Sequence, residues 1–373
     1  MAEDGSFVII WIADRADGAT DVHALRFRAD GSAVDTPPRA PPPWLLTPGE
    51  FRLNATGVGR NLDPAVAMAR DGRFVVCWSN LADGNTLALR RFDADGTPAA
   101  GIETFVQGLS NDNTLSHGRL AWDPNPDKLE ARDRIALSFL EPLGSRRHLV
   151  FVGLDSRLRP LNAQVALSPE NGGELIEGNL AINHAGQVVL AGICTQPGGR
   201  SVLVGQGLLF DPMSAPVATR LENTDMSPPF LYGGECGLDL ALGCDERIVL
   251  TWQANDIGNP GASSVFLREM TPDLGVVTPA PLRAPETLTG SQRAPSIALW
   301  AGSGALVWSG HGERPGQSDP AGNFVRGLLL GAPDKPVAEH AVAISPFDAA
   351  GRGSEPSPAV DAARSNDLEE VGA

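Results

Sequence analysis

The sequence predicts an all-β fold, a six-bladed β-propeller of four-stranded antiparallel blades, and three observations lead there. A strand-like run ending in a bulky residue recurs along the whole chain, turns rich in Asp and Gly separate short apolar stretches, and no stretch sustains the 3.6 helical period for three turns. Gly and Pro are abundant, at 42 and 31 of 373 residues, which favours many short strands over long helices.

The recurring run is "FVIIW" at 7–11, "FVVCW" at 74–78, "IALSF" at 135–139, "VVLAG" at 188–192, "IVLTW" at 248–252 and "ALVW" at 305–308. These are the second strands of six units. Before five of them lies a first strand: "PAVAMA" from Pro64, "GRLAWD" from Gly118, "GNLAIN" from Gly178, "CGLDLAL" from Cys236 and "PSIALW" from Pro295. Tight turns such as Asp71-Gly72 join the two, which is hairpin chemistry. A third strand follows each second one, as in "VHALRF" and "TLALRRF", and a weaker fourth, as in "ETFVQG" from Glu103, completes the meander.

The first unit has no first strand of its own. "PAVDAARS", from Pro358, copies "PAVAMARD", from Pro64, without a second strand after it, and is expected to pair beside Phe7–Trp11 and close the ring. Closure removes the exposed edges that invite aggregation. The expected single domain spans 1–373, with blade one at 4–60 plus 356–367, and blades two to six at 61–112, 113–170, 171–228, 229–290 and 291–350.

This repeat resembles one found in bacterial β-propeller proteins, "P-x-V-A", then "D-G-x-F-V-V-x-W", then "R-x-F-D-x-D-G-x-P". Unit two carries it nearly whole, through Pro64, Val66, Ala67, Asp71, Gly72, Phe74 to Trp78, Arg91, Phe92, Asp93, Asp95, Gly96 and Pro98. Units three and four depart from it, with Phe139 and Gly192 in the Trp place. The resemblance implies the fold. It implies little about activity, because such scaffolds host many functions.

Charge narrows the partners. The formal net charge is −16, from 45 acidic and 29 basic residues, and Lys128 and Lys335 are the only lysines, so a nucleic-acid-binding surface is not expected. No run approaches the ~20 apolar residues of a membrane span, and the N-terminus reads as no signal peptide, because its apolar run is short and acid-flanked.

Candidate sites follow from propeller geometry. Trp11, Trp78, Trp252 and Trp308 share one strand position and are expected to wedge between blades. Residues opening the first strands, Asp63, His117, Glu177, Glu235, Ala294 and Ser357, are expected to ring a channel on one face. Asp63, Glu177 and Glu235 with His117 are the groups an acid–base mechanism would use, as in a glycoside hydrolase or lyase. The long polar loops on that face make a binding surface, with Trp44, Asp14, Asp17, Asn255, Asp256, His311 and Arg314 as candidate contacts. Asp14, Asp17 and Asp21 are the nearest approach to a calcium loop, without its full ligand spacing, and no other cofactor is expected. Cys194 and Cys236 fall on the loop face of adjacent blades, where a disulfide is one reading and free thiols the other. The leading expectation is a non-enzymatic adhesion or binding propeller for a polysaccharide or protein partner, for instance a spike component of a phage-like particle. A carbohydrate-active enzyme and a structural module of a larger assembly are the alternatives.

Overall fold

The computed structural model describes residues 1–34, 49–55, 59–82, 86–99, 103–106, 108–110, 114–123, 135–155, 157–168, 173–183, 186–196, 199–208, 217–221, 237–243, 245–255, 263–277, 281–284, 291–300, 303–311, 323–331 and 342–344. All regular structure among them is β. Sheet one holds β1 (Phe7–Asp14), β2 (Thr20–Phe27) and β3 (Phe51–Arg52). Sheet two holds β4 (Asn61–Met68), β5 (Phe74–Asn80), β6 (Thr86–Phe92) and β7 (Thr104–Val106). Sheet three holds β8 (Ser116–Trp122), β9 (Ile135–Leu143), β10 (Arg146–Leu154) and β11 (Pro160–Leu167). Sheet four holds β12 (Glu174–Ile182), β13 (Gln187–Gln196), β14 (Gly199–Leu208) and β15 (Val217–Leu221). Sheet five holds β16 (Leu238–Leu242), β17 (Ile248–Asn255), β18 (Ser263–Met270) and β19 (Leu282–Ala284). Sheet six holds β20 (Ser291–Trp300), β21 (Ser303–His311), β22 (Asn323–Leu330) and β23 (Val342–Ile344). Each sheet is an antiparallel meander in chain order.

Successive sheets pack face to face, and their edge strands β4, β8, β12, β16 and β20 touch one another in turn, forming the inner rim of a β-propeller. What holds the stack is one buried apolar cluster per seam. Trp78, Phe74 and Val76 of sheet two meet Val22 and Ala24 of sheet one. Phe139 and Leu137 meet Val75 and Cys77 at the next seam, and Leu175 and Leu190 meet Leu140 and Leu149 at the third. Trp252 and Leu250 meet Val189 and Ile193, and Trp308 and Leu306 meet Val249 and Val265. The Trp residues of sheets two, five and six therefore wedge between blades, as their shared position predicts. Burial of such a side chain is worth several kcal/mol.

Sheet one differs on its outer side. All of β5 is buried, whereas β1 is half-buried at most of its positions and Ile9 is 48% exposed. Among the described residues β1 pairs only with β2. Trp11 is accordingly half-buried, its ring 6.1 Å from that of His23. His23 stands where Ala88, Val150 and Phe266 stand in other blades, and its Nδ1 lies 2.5 Å from Oε1 of buried Glu50. Beside it, buried Asp21 accepts a bond from Asn54 Nδ2 at 2.9 Å. This face of blade one thus sets a buried polar cluster, Asp21, His23 and Glu50, beside Ile9, Trp11 and Leu25.

The turn before β1 is equally telling. Ala2 N donates to Ser6 O and Gly5 N to Ala2 O, the same pair of bonds that Ala69 N makes to Arg73 O and Gly72 N to Ala69 O in the turn between β4 and β5. Gly5 and Gly72 both take φ above +80°, a conformation that glycine tolerates. Residues 2–6 thus repeat the turn geometry that joins β4 to β5.

Replacing Trp78 with Ala is expected to cost about 3–5 kcal/mol, because a wholly buried indole leaves a cavity at the first seam. Urea denaturation measures this; a loss below about 1 kcal/mol would place Trp78 outside the framework.

Candidate functional site

The inner strands open with a repeated irregularity. In blade two Leu62 pairs with Ser79 and Ala65 with Cys77, so Asp63 and Pro64 together face Trp78. His117 and Gly118 face Phe139 in the same way, and Ala294 and Pro295 face Trp308. Each is a bulge whose first residue is left-handed, with φ of 49° at Asp63, 54° at His117 and 48° at Ala294. Such a conformation costs a non-glycine residue about 1 kcal/mol, so its recurrence marks a requirement of the blade. The bulge turns the strand end away from the sheet at the rim.

This register corrects the expected ring. Leu238 pairs with Trp252, so the place held by Asp63 and His117 in their blades falls in blade five to Gly237, with φ 54°, and not to Glu235. Glu235 itself lies outside the described residues, as does Ser357. In blade four the irregularity lies one residue earlier, between Leu175 and Glu177, and Glu177 is buried. Its Oε1 accepts the Leu238 amide across the seam at 2.8 Å, so this carboxylate ties blade four to blade five. Asp63, His117 and Glu177 hold like places on the inner strands of blades two, three and four. Asp63 and His117 are half-buried at the rim, on adjacent blades.

Two residues further along each inner strand comes a set that sequence reasoning missed: Ala65, Arg119, Asn179, Asp239 and Ser296, each just before a residue paired to its second strand. Asn179 Nδ2 donates to Asp239 Oδ1 at 2.7 Å and lies 3.3 Å from Leu238 O. Asp239 Oδ1 also accepts the Leu240 amide at 2.9 Å, while Oδ2 accepts Ser296 Oγ at 2.9 Å and the Ile297 amide at 2.8 Å. One carboxylate thus joins blades four, five and six. Burial pushes the Asp239 carboxyl above the usual carboxylate range, against the opposing pull of the Ile297, Leu240 and Ser296 bonds and of the Arg119 charge. Arg119 makes no forward bond of this kind; its Nη1 donates to Gly118 O at 3.0 Å.

Near the loop face a further clasp recurs. Thr20 Oγ1 donates to Asn61 O at 2.7 Å between blades one and two, and Ser263 Oγ donates to Gln292 O at 2.8 Å between blades five and six. Trp308 Nε1 donates to Gln292 Oε1 at 2.8 Å. Buried Glu141 accepts the Leu109 and Ser110 amides at 2.8 and 2.5 Å and so pins the crossing from blade two to blade three.

Asp14 and Asp17 are exposed; Asp17 accepts from Arg15 Nη2 at 2.7 Å and from the Ala19 amide at 3.1 Å, while Asp21 is buried against Asn54. Among the described residues no three His, Cys, Asp or Glu side chains group as metal ligands. Asn255 and His311 end β17 and β21. Trp44, Asp256, Arg314 and Cys236 lie outside the described residues. Cys194 is buried at the third seam, with its Sγ 3.4 Å from Thr195 O. Burial pushes the Cys77 thiol up to about 12, which removes it as a nucleophile. Among the described residues no helix is long and apolar enough to cross a membrane.

No family model and no curated protein matches the chain. Among solved structures it is similar to the alpha-L-arabinanase of Penicillium chrysogenum complexed with arabinobiose, with TM-score 0.46 and 11% identity over 74% of this chain and 80% of that one. It is also similar to the β-propeller domain of the Trilobed protease from Pyrococcus furiosus, which has an open velcro topology, with TM-score 0.45 and 9% identity over 92% and 83%. A protein of unknown function from Dyadobacter fermentans gives TM-score 0.47 and 11% identity over 89% and 96%.

Asp239→Asn is expected to destabilise the fold by about 1–3 kcal/mol, because an amide nitrogen would face the Ser296 and Ile297 donors or the Asn179 and Leu240 donors. The native carboxyl has a raised folded-state pKa, so its contribution is full in acid and is lost as pH rises through that raised value. The deficit of the variant should therefore narrow with rising pH, and denaturant titrations across the acid range measure it.

Proposed function

We propose that the chain is a non-catalytic binding propeller that recognises a glycan at the rim where the inner strands open. The observation that carries this reading is the Asn179–Asp239–Ser296 belt: its carboxylate has both oxygens occupied by hydrogen bonds within the protein, which makes a fixed polar floor and no free acid or base. Glu177 Oε1 likewise accepts the Leu238 amide across the seam. A rigid floor with half-buried polar groups suits sugar hydroxyls, which are recognised by pre-placed donors and acceptors. Binding to a broad polysaccharide array is expected, with affinity reduced in His117→Ala; no bound glycan would overturn the reading, and capture of a protein alone would replace the ligand.

A carbohydrate-active enzyme is the second reading, favoured by one observation, the placement of Asp63 and His117 on adjacent blades at the rim. Turnover of a bound polysaccharide that is abolished in Asp63→Asn would establish it over the first.

The same proposal includes a closed ring of six blades, with the 358–363 segment as the inner strand of blade one. Supporting it are the edge of β1 that pairs with no other described strand, the turn at 2–6 that repeats the turn at 69–73, and the likeness of "PAVDAA" to the inner strand "PAVAMA". Removing residues 356–373 is expected to lower the melting temperature and to speed hydrogen exchange at the β1 amides that do not pair with β2. Unchanged melting and exchange would refute closure by this segment.

A further inference from the structure

We propose that Arg119 is the specificity residue of the rim and that it binds the carboxylate of an acidic sugar, a uronate unit within the glycan. This rests on the binding reading above and sharpens its ligand class.

Three observations carry it. The first is position: Arg119 occupies the inner-strand place from which Asn179 and Asp239 each reach forward to the next blade, yet its guanidinium turns back to its own strand at Gly118 O, 3.0 Å away. The second is charge: among the described residues Arg119 forms no ion pair, although the chain carries 45 acidic residues against 29 basic ones. A half-buried guanidinium with one carbonyl partner keeps most of its five donors for a ligand, arranged in the fork that matches a carboxylate. The third is reach. From inner strand β8 its charge acts on Cys77 in the preceding blade and on Asp239 two blades on.

The surroundings select a carboxylate carried on a neutral polyol. Asp63 stands at the same rim, so a densely charged anion meets repulsion there, whereas a sugar ring presents hydroxyls to it and its carboxylate to Arg119. His117, the residue before Gly118, stands at the same rim in a left-handed conformation.

The experiment compares oligogalacturonides with their methyl esters, which keep the ring and lose the charge, by calorimetry on the full chain and on Arg119→Met and Arg119→Lys. The free acid is expected to bind about tenfold or more tighter than the ester; Arg119→Met should erase that preference, and Arg119→Lys, which keeps charge and loses the fork, should retain part of it. Equal affinity for acid and ester, or an unaltered preference in a folded Arg119→Met, overturns the assignment while leaving glycan binding intact. Absence of binding by any glycan, on the array or here, overturns both. Thermal melting of each variant shows that it is folded, and Arg119→Lys decides the matter should Arg119→Met fail to fold.

Discussion

The wedge of a bulky second-strand side chain into the face of the preceding sheet is the interaction on which everything else depends. Trp78 against Val22 and Ala24, Trp252 against Val189 and Ile193, and Trp308 against Val249 and Val265 each bury an indole at a seam between two sheets. A four-stranded sheet alone buries too little apolar surface to stand in water. Packed on both faces, it becomes a rigid plate. The inner-strand bulges sit opposite these same wedges, so the residue that closes the seam also aims the rim.

Polar groups then set what the rim presents. Between blades four, five and six they are consumed internally, by Asn179, Asp239, Ser296 and Glu177, and the rim there is a scaffold. Between blades two and three the corresponding places hold Ala65 and Arg119, and no such belt forms. The asymmetry is chemical and not architectural, since the backbone repeats on both sides.

Much of the fold was legible because strand pairing obeys a period that side chains reveal. "FVVCW" and "IVLTW" announce buried strands, and Asp-Gly turns announce where they reverse. The rim was less legible. Aligning "ECGLDLAL" on its first polar residue puts Glu235 at the opening, but the pairing of Leu240 with Leu250 moves that place to Gly237. A bulge shifts register by one residue and leaves no reliable mark in composition. Asn179 and Asp239 were passed over for another reason: as polar residues in an edge strand they read as solvated alternates, and only the neighbouring blade supplies their partners. The signal available was positional, since both fall two residues past the opening of the inner strand.

The turn at residues 2–6 has a bearing on how the molecule comes apart. Among the described residues five apolar seams run in series, and in a linear array the end units are the ones that fray, each having a single neighbour to lose. A strand laid along β1 would join the two ends of the series and leave no unit terminal. Fraying from an end would then give way to all-or-none rupture, so that the cooperativity of the whole would rest on a few backbone hydrogen bonds at one edge.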